Sequence, residues 1–236
     1  MNTLVNTWRS LRRTAFEAVG SSKYSRPALH GLDQKLAAIL NWKGGVFIEA
    51  GANDGFTQSN TYYLERFQGW TGVLVEPIPS LARKCRRLRR NAEVFNCALV
   101  SKESDGEEFE IIYGNLMSTI SGSLGSQDAE NKHIARAKEI DAESGTYRVK
   151  VKGRALSNLL DEAKIGAVDF LSLDVEGFEL RVLEGVDWSR HAPKFILVES
   201  RDSAGMINRL TPQYVLHERL VVLPHREDLL FRRKSP

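Results

Sequence analysis

No run in the 236-residue sequence reaches the roughly 18 apolar residues that a membrane-spanning helix requires. The N-terminal stretch MNTLVNTWRSLRRTAFEAV is interrupted by polar residues too often to form the apolar core of a secretory signal. Cysteine is scarce. Cys85 sits in a basic run and Cys97 follows an apolar segment, and neither has a C-x-x-C or metal-ligand neighbour. That pattern argues against a disulfide framework and for reduced thiols in a reducing, cytoplasmic compartment. The formal net charge of +3 is too small to imply a polyanionic partner by itself. Internal repeats and low-complexity tracts are absent too. What remains is 42% hydrophobic and 27% charged, the balance of a soluble globular chain long enough to bury a core without disulfides or metal.

The chain reads as an N-terminal extension, 1–27, and a main domain, 28–236. In the extension, Leu4, Trp8, Leu11, Ala15 and Val19 recur near helical spacing, accompanied by Arg9, Arg12 and Arg13. The expectation is a helix packed on the domain or on a second copy of the chain, with a membrane-surface helix as the alternative. Gly20 to Pro27 is a polar linker. LDQKLAAIL then reads as a helix, with Leu32, Leu36, Ile39 and Leu40 on one face. GGVFIEAG, TGVLVEP and AEVFNCALVS read as three buried parallel strands. Between them lie the helices TQSNTYYLERF, ended by Gly69, and SLARKCRRLRR. This β-α-β-α-β order predicts an α/β, Rossmann-like doubly wound sheet. EEFEIIYG and TYRVKVKG are further strands, flanking a Ser/Gly-rich insert near 115–145 expected to form a lid. Ser118, Thr119, Ser121 and Ser123 lie in that insert. LSNLLDEA is a helix with Ser157 as its N-cap. VDFLSLDVEG and KFILVES are the fourth and fifth core strands, and YVLHERLVVLP with DLLFRRK is an antiparallel pair.

In such a sheet, ligands bind beyond the carboxyl ends of the strands, where strand order reverses. Those ends carry Glu49, Gly51, Asn53, Asp54 and Gly55, then Glu76, then Asn96, Cys97 and Ala98, then Asp174 and Glu176, then Glu199 and Ser200. The turn Gly51-Ala52-Asn53-Asp54-Gly55 lacks the middle glycine of G-x-G-x-x-G, and no Gly-Lys-Ser/Thr follows it. Acids around one pocket penalise an anion by about 1 kcal/mol per 4 Å pair in water and about 4 at an effective dielectric near 20. They favour a cation. S-adenosylmethionine, with a ribose diol, an ammonium, a sulfonium and no phosphate, fits that logic. Glu76 stands about 25 residues past Gly51, where an acid meets ribose hydroxyls in dinucleotide folds.

Taken together, FIEAGANDGFTQSNT, GVLVEPIP, DFLSLDVEGFELRVLEGV and ILVE resemble the FkbM-type methyltransferases over roughly 46–200. The resemblance implies a class I methyltransferase domain with about seven strands, including an antiparallel C-terminal pair. It implies an S-adenosylmethionine-dependent enzyme, mostly O-methylating sugars or secondary metabolites. It assigns Glu49, Gly51, Asn53, Asp54 and Gly55 to the cofactor turn, with Asp54 alternatively capping the next helix. Glu76 is assigned to the ribose, Asn96, Cys97 and Ala98 to the adenine, and Asp174 and Glu176 to the methyl-transfer edge, where Asp174 also meets the cofactor.

Removing the acceptor's proton requires a base or a metal. Asp174 is the first candidate for the base, ahead of His217 and His133, while His191 and His225 carry no signal. Asp174 and Glu199 could hold Mg²⁺ with water, although no Asp-Asn or Asp-Asp pair follows the fifth strand. RKCRRLRR, Arg83 to Arg90, has six basic residues in eight. An exposed helix face explains it, and without interleaved aromatics it gives an RNA methyltransferase little support. A SAM-binding partner subunit without catalysis is the remaining rival. The expected acceptor is a small molecule or carbohydrate, and the N-terminal helix could support a homo-oligomer.

Overall fold

The computed structural model describes residues 2–113, 119–120 and 147–235. The N-terminal helix α1 is Asn2–Ala18, and a 3₁₀ turn at Leu29–Gly31 leads into α2, Leu32–Ile39. Then follow β1 (Val46–Ala50), α3 (Tyr62–Gln68), β2 (Thr71–Val75), α4 (Pro79–Leu88), β3 (Ala92–Phe95), β4 (Ala98–Val100), β5 (Glu108–Tyr113) and β6 (Thr119–Ile120). The remainder is β7 (Tyr147–Ala155), α5 (Leu156–Glu162), β8 (Phe170–Leu173), α6 (Glu179–Glu184), β9 (Phe195–Ser200), α7 (Ser203–Leu210), β10 (Tyr214–Leu223) and β11 (Arg226–Arg233).

Seven strands form the main sheet in the order β10-β11-β9-β8-β1-β2-β3. β3, β2, β1, β8 and β9 run parallel, and β11 is antiparallel to both its neighbours. Strand order reverses at β1, which pairs with β2 on one side and β8 on the other. The parallel strands are apolar at nearly every position because both faces are covered. Alternate residues feed two cores. Ile48, Val73, Val75, Leu171 and Ile196 pack with Leu159, Leu183 and Met206 from α5, α6 and α7. Phe47, Leu74, Phe170 and Leu197 pack with Leu36, Leu64 and Ala82 from α2, α3 and α4. Both cysteines are free and buried.

Three local expectations are corrected. AEVFNCALVS is two strands: β3 stays in the main sheet, while β4 pairs with β7 in a second sheet of order β4-β7-β5-β6. Asn96 marks the break, its amide donating to Glu76 O at 2.9 Å and Pro77 O at 2.7 Å. Ser157 does not cap α5. The cap position is Ala155, and Ser157 Oγ instead accepts from Asp187 N–H at 2.7 Å. The apolar stripe of α1 does not pack on the domain: Trp8, Leu11 and Val19 are 66%, 64% and 80% exposed. The helix docks through its polar side, where the Glu17 carboxylate accepts from Ser25 Oγ, Tyr62 OH and Arg66 Nε. Most of the 115–145 insert, with Ser118, Ser121, Ser123 and His133, lies outside the described residues. Thr119 is in β6. No helix among the described residues is long and apolar enough to cross a membrane.

Candidate active site

A cleft opens beyond the carboxyl ends of β1, β2 and β8, enclosing about 980 Å³ of empty space including its mouth. Its floor is the β1 turn. Gly51 adopts φ +84°, and a β-carbon there would stand 1.9 Å from Asp174 O. Only glycine lets β1 and β8 end this close together. Gly51 N–H and Ala52 N–H both donate to Val75 O, which ties the turn to β2. Asn53, Gln58 and Glu176 also line the cleft with positive φ, at 51°, 61° and 53°. Such left-handed backbone is uncommon outside glycine and clusters at functional sites.

Glu76 ends β2 with both carboxylate oxygens engaged, accepting from Asn53 N–H and Ile78 N–H at 2.8 Å each. Burial pushes its pKa up to about 8, against those two donors. Each oxygen keeps a second acceptor site. Glu49 accepts from Ser59 Oγ (2.8 Å), Asn60 N–H (2.7 Å) and Thr61 Oγ1 (2.7 Å), and from Arg89 Nη1 (3.3 Å). Asn60 donates to Ser172 Oγ at 3.0 Å, while its Oδ1 is buried without a partner.

Arg89 is what the basic-run reading missed. Five of its six basic residues are exposed, but Arg89 is 1% exposed beneath the β1 turn. It bonds Glu65, Glu49, Gly55 O, Ser59 Oγ and Thr61 Oγ1. The loop carrying Gly55 and Ser59 is therefore fastened to the end of α4. Asp54 closes the same loop by accepting from Phe56 N–H, Thr57 N–H and Thr57 Oγ1, an Asx turn that precedes α3 and does not cap it.

The cleft gathers Glu49, Gly51, Asn53, Glu76, Cys97, Ala98, Asp174 and Glu176. Asp54, Gly55 and Asn96 stand behind its wall as loop closure, contact with Arg89 and brace for the end of β2. Four acids line the cleft, and no Lys, Arg or His does so among the described residues. Leu81, Leu99, Ile111 and Phe178 give one end an apolar wall.

At the edge of the cleft, Asp174 is held well above the usual carboxylate range by burial and by Glu199 and Glu176. Burial likewise raises Glu176 to about 7, opposed by Arg201, whose Nη2 lies 2.6 Å from its carboxylate. Asp174 and Asn60 also line a smaller adjoining cavity with His30, Glu199, Arg226 and Asp228. Glu199 is ion-paired with Arg226 there. No group of three or more His, Cys, Asp or Glu suited to a metal ion occurs among the described residues. Sequence reasoning passed over His30, which has φ 53° in the turn before α2. The local pattern around it gave no hint, since only the fold brings that turn beside β8 and β11. His217 packs its ring 6.1 Å from Phe195 and His191 is buried near Asp161, and neither lines the two cavities.

A family model described as the methyltransferase FkbM domain matches residues 49–229. The crystal structure of methyltransferase FkbM from Methylobacillus flagellatus KT superposes with a TM-score of 0.51 at 13% identity, covering 92% of this chain and 52% of that one. The chain thus spans about half the length of that relative. M. capricolum TrmK in complex with S-adenosyl-homocysteine gives a TM-score of 0.44 at 10% identity, over 89% and 70% of the two chains. The METTL16 MTase domain gives 0.47 at 11% identity, over 87% and 66%. At 13% identity the likeness to the FkbM structure is one of fold. No curated protein matches the sequence.

Proposed function

Since the chain belongs to the FkbM methyltransferase family, we propose that it is an S-adenosylmethionine-dependent methyltransferase that O-methylates a hydroxyl of a sugar, glycan or secondary metabolite. The observation that carries this reading is the acidic lining of the cleft. Four acids and no cation line it among the described residues; burial raises Glu76, Asp174 and Glu176, so a bound cation would favour their ionised forms where a dinucleotide's phosphates would oppose them. The buried, unpartnered Asn60 Oδ1 in the same wall is an acceptor suited to an ammonium. When bound, S-adenosylmethionine supplies a methyl group on a positively charged sulfur.

Glu76 would hold ribose hydroxyls through its two remaining acceptor sites, held in place by Asn53 and Ile78 N–H. Leu81, Leu99 and Ile111, beside Cys97 and Ala98, form the apolar wall for a base. Glu49, with one acceptor site left on Oε1, and Asn60 face the methionine end. Asp174 joins this cleft to the adjoining cavity, which supports it as the residue that would accept the acceptor's proton. Its raised pKa strengthens it as a base once ionised. Glu176 adds negative charge beside it. The exposed cations of α4 do not line the cleft, so no observation at the site favours a nucleic-acid acceptor.

The test is turnover. The protein is incubated with methyl-labelled S-adenosylmethionine and a panel of polyhydroxylated acceptors, and S-adenosylhomocysteine release is followed. Asp174→Asn is expected to lower kcat about 10²–10⁴-fold while S-adenosylmethionine still binds. Cofactor binding without turnover on any acceptor would favour a binding subunit. Absence of cofactor binding would end the proposal.

A further inference from the structure

Helix α1 is fastened to the domain by Glu17 and by Arg13, whose guanidinium stacks 3.9 Å over the Phe56 ring. That docking turns Val5, Trp8, Leu11 and Val19 outward. At 3.6 residues per turn Val5, Trp8 and Leu11 fall within roughly 120° of the helix circumference, and Val19 follows in the turn after it. Beside the stripe, a groove between α1 and α4 encloses about 1340 Å³ of empty space including its open side. Arg9, Arg12, Arg13, Lys84 and Arg87 line it, with Asp54 as the one carboxylate among its described lining residues. The Asp54 oxygens are already occupied by Phe56 and Thr57. The Nε groups of Arg12 and Arg13 are buried without hydrogen-bond partners, and Arg13 is only 8% exposed. Arg13 Nε is ion-paired with Glu17 one turn on, at 3.7 Å. The groove therefore gathers five cations against one carboxylate among its described lining residues.

We propose that α1 and this groove form a docking surface for an anionic lipid bilayer, with Trp8 and Leu11 inserted at the interface and the groove taking lipid phosphate. A helix with a Trp/Leu face flanked by arginines matches the requirements of an interfacial helix. Charge favours this occupant over a second copy of the chain, because a two-fold contact through the stripe would bring two cationic grooves together. Of the outward residues only Trp8 is aromatic, too few rings for a single-stranded RNA platform.

The test is flotation of the full chain with vesicles of phosphatidylcholine alone or with about one-third phosphatidylserine. Binding is expected to the anionic vesicles only and to weaken with added salt. Trp8→Ser/Leu11→Ser, at two exposed sites, is expected to abolish binding while leaving the melting temperature unchanged. Lys84→Glu/Arg87→Glu is expected to weaken it at least about 25-fold, taking about fivefold per cation. The proposal is overturned if the Trp8→Ser/Leu11→Ser variant binds as wild type. It is also overturned if the chain binds mixed-sequence RNA or inorganic phosphate but not vesicles, or if light scattering shows a dimer that the same variant dissociates.

Discussion

Replacing Arg89 by methionine removes a guanidinium that is 1% exposed and hydrogen-bonded to five groups. Methionine fills much of the volume and supplies none of the donors. Glu49 keeps Ser59, Asn60 and Thr61 as partners, but Glu65 keeps only Asn91 N–H at 3.2 Å. A buried ion pair broken from one side costs about 3–5 kcal/mol, because the remaining charge is stranded. That is a large share of the roughly 5–15 kcal/mol that holds a domain folded. Urea unfolding should show a lower midpoint at unchanged slope. Adding Glu65→Gln to the methionine variant should recover part of the loss by removing the stranded charge. Arg90→Met, at an exposed neighbour, should fall within about 0.5 kcal/mol of wild type. A loss below about 1 kcal/mol for Arg89→Met would refute the argument that the β1 turn is held by a buried ionic cluster.

Three further outcomes are expected. Glu76 is raised from 4.5 to about 8, so the folded state holds its proton longer than the unfolded state. Its contribution is present below pH 4.5 and lost as pH rises toward 8, by up to about 4 kcal/mol. Urea unfolding of wild type and Glu76→Gln at pH 5 and pH 8 checks this, and a pH-independent difference between them would contradict it. Gly51→Ala should destabilise by more than the roughly 1–3 kcal/mol of a left-handed backbone alone, since its β-carbon meets Asp174 O. Gly106→Ala, at φ +91° with nothing within 4 Å, isolates the backbone cost in the same melts. Cys85 and Cys97 are buried with raised pKa values, Cys97 to about 12. A thiol reagent at pH 7 should therefore label neither rapidly until urea is added, and two fast equivalents in the native protein would refute that burial.

The parallel strands were legible because burial on both faces writes them as apolar runs. The site was legible in its acids because strand ends in this topology face one cleft. What periodicity could not mark was a change of sheet within AEVFNCALVS, where a single Asn satisfies two carbonyls and lets β4 leave. It also extended α3 too far toward its N-terminus, since Asp54 and Ser59 side chains bond the backbone there in place of a helix. Arg89 read as one more exposed cation because its partners, Glu65 and Glu49, lie 24 and 40 residues away. The stripe on α1 was plain in the spacing, but its outward orientation depends on Glu17 meeting Tyr62 and Arg66.

Under the proposed function, the acidic cleft holds a sulfonium cofactor through Glu76. Isothermal titration of S-adenosylmethionine into wild type and Glu76→Ala tests it most directly. One site per chain is expected in the wild type. At about pH 9, where Glu76 is ionised, affinity in the variant should fall by about 1.5–3 kcal/mol, the range for hydrogen bonds to a charged group. No binding to the wild type, or equal binding to both proteins, would contradict the account.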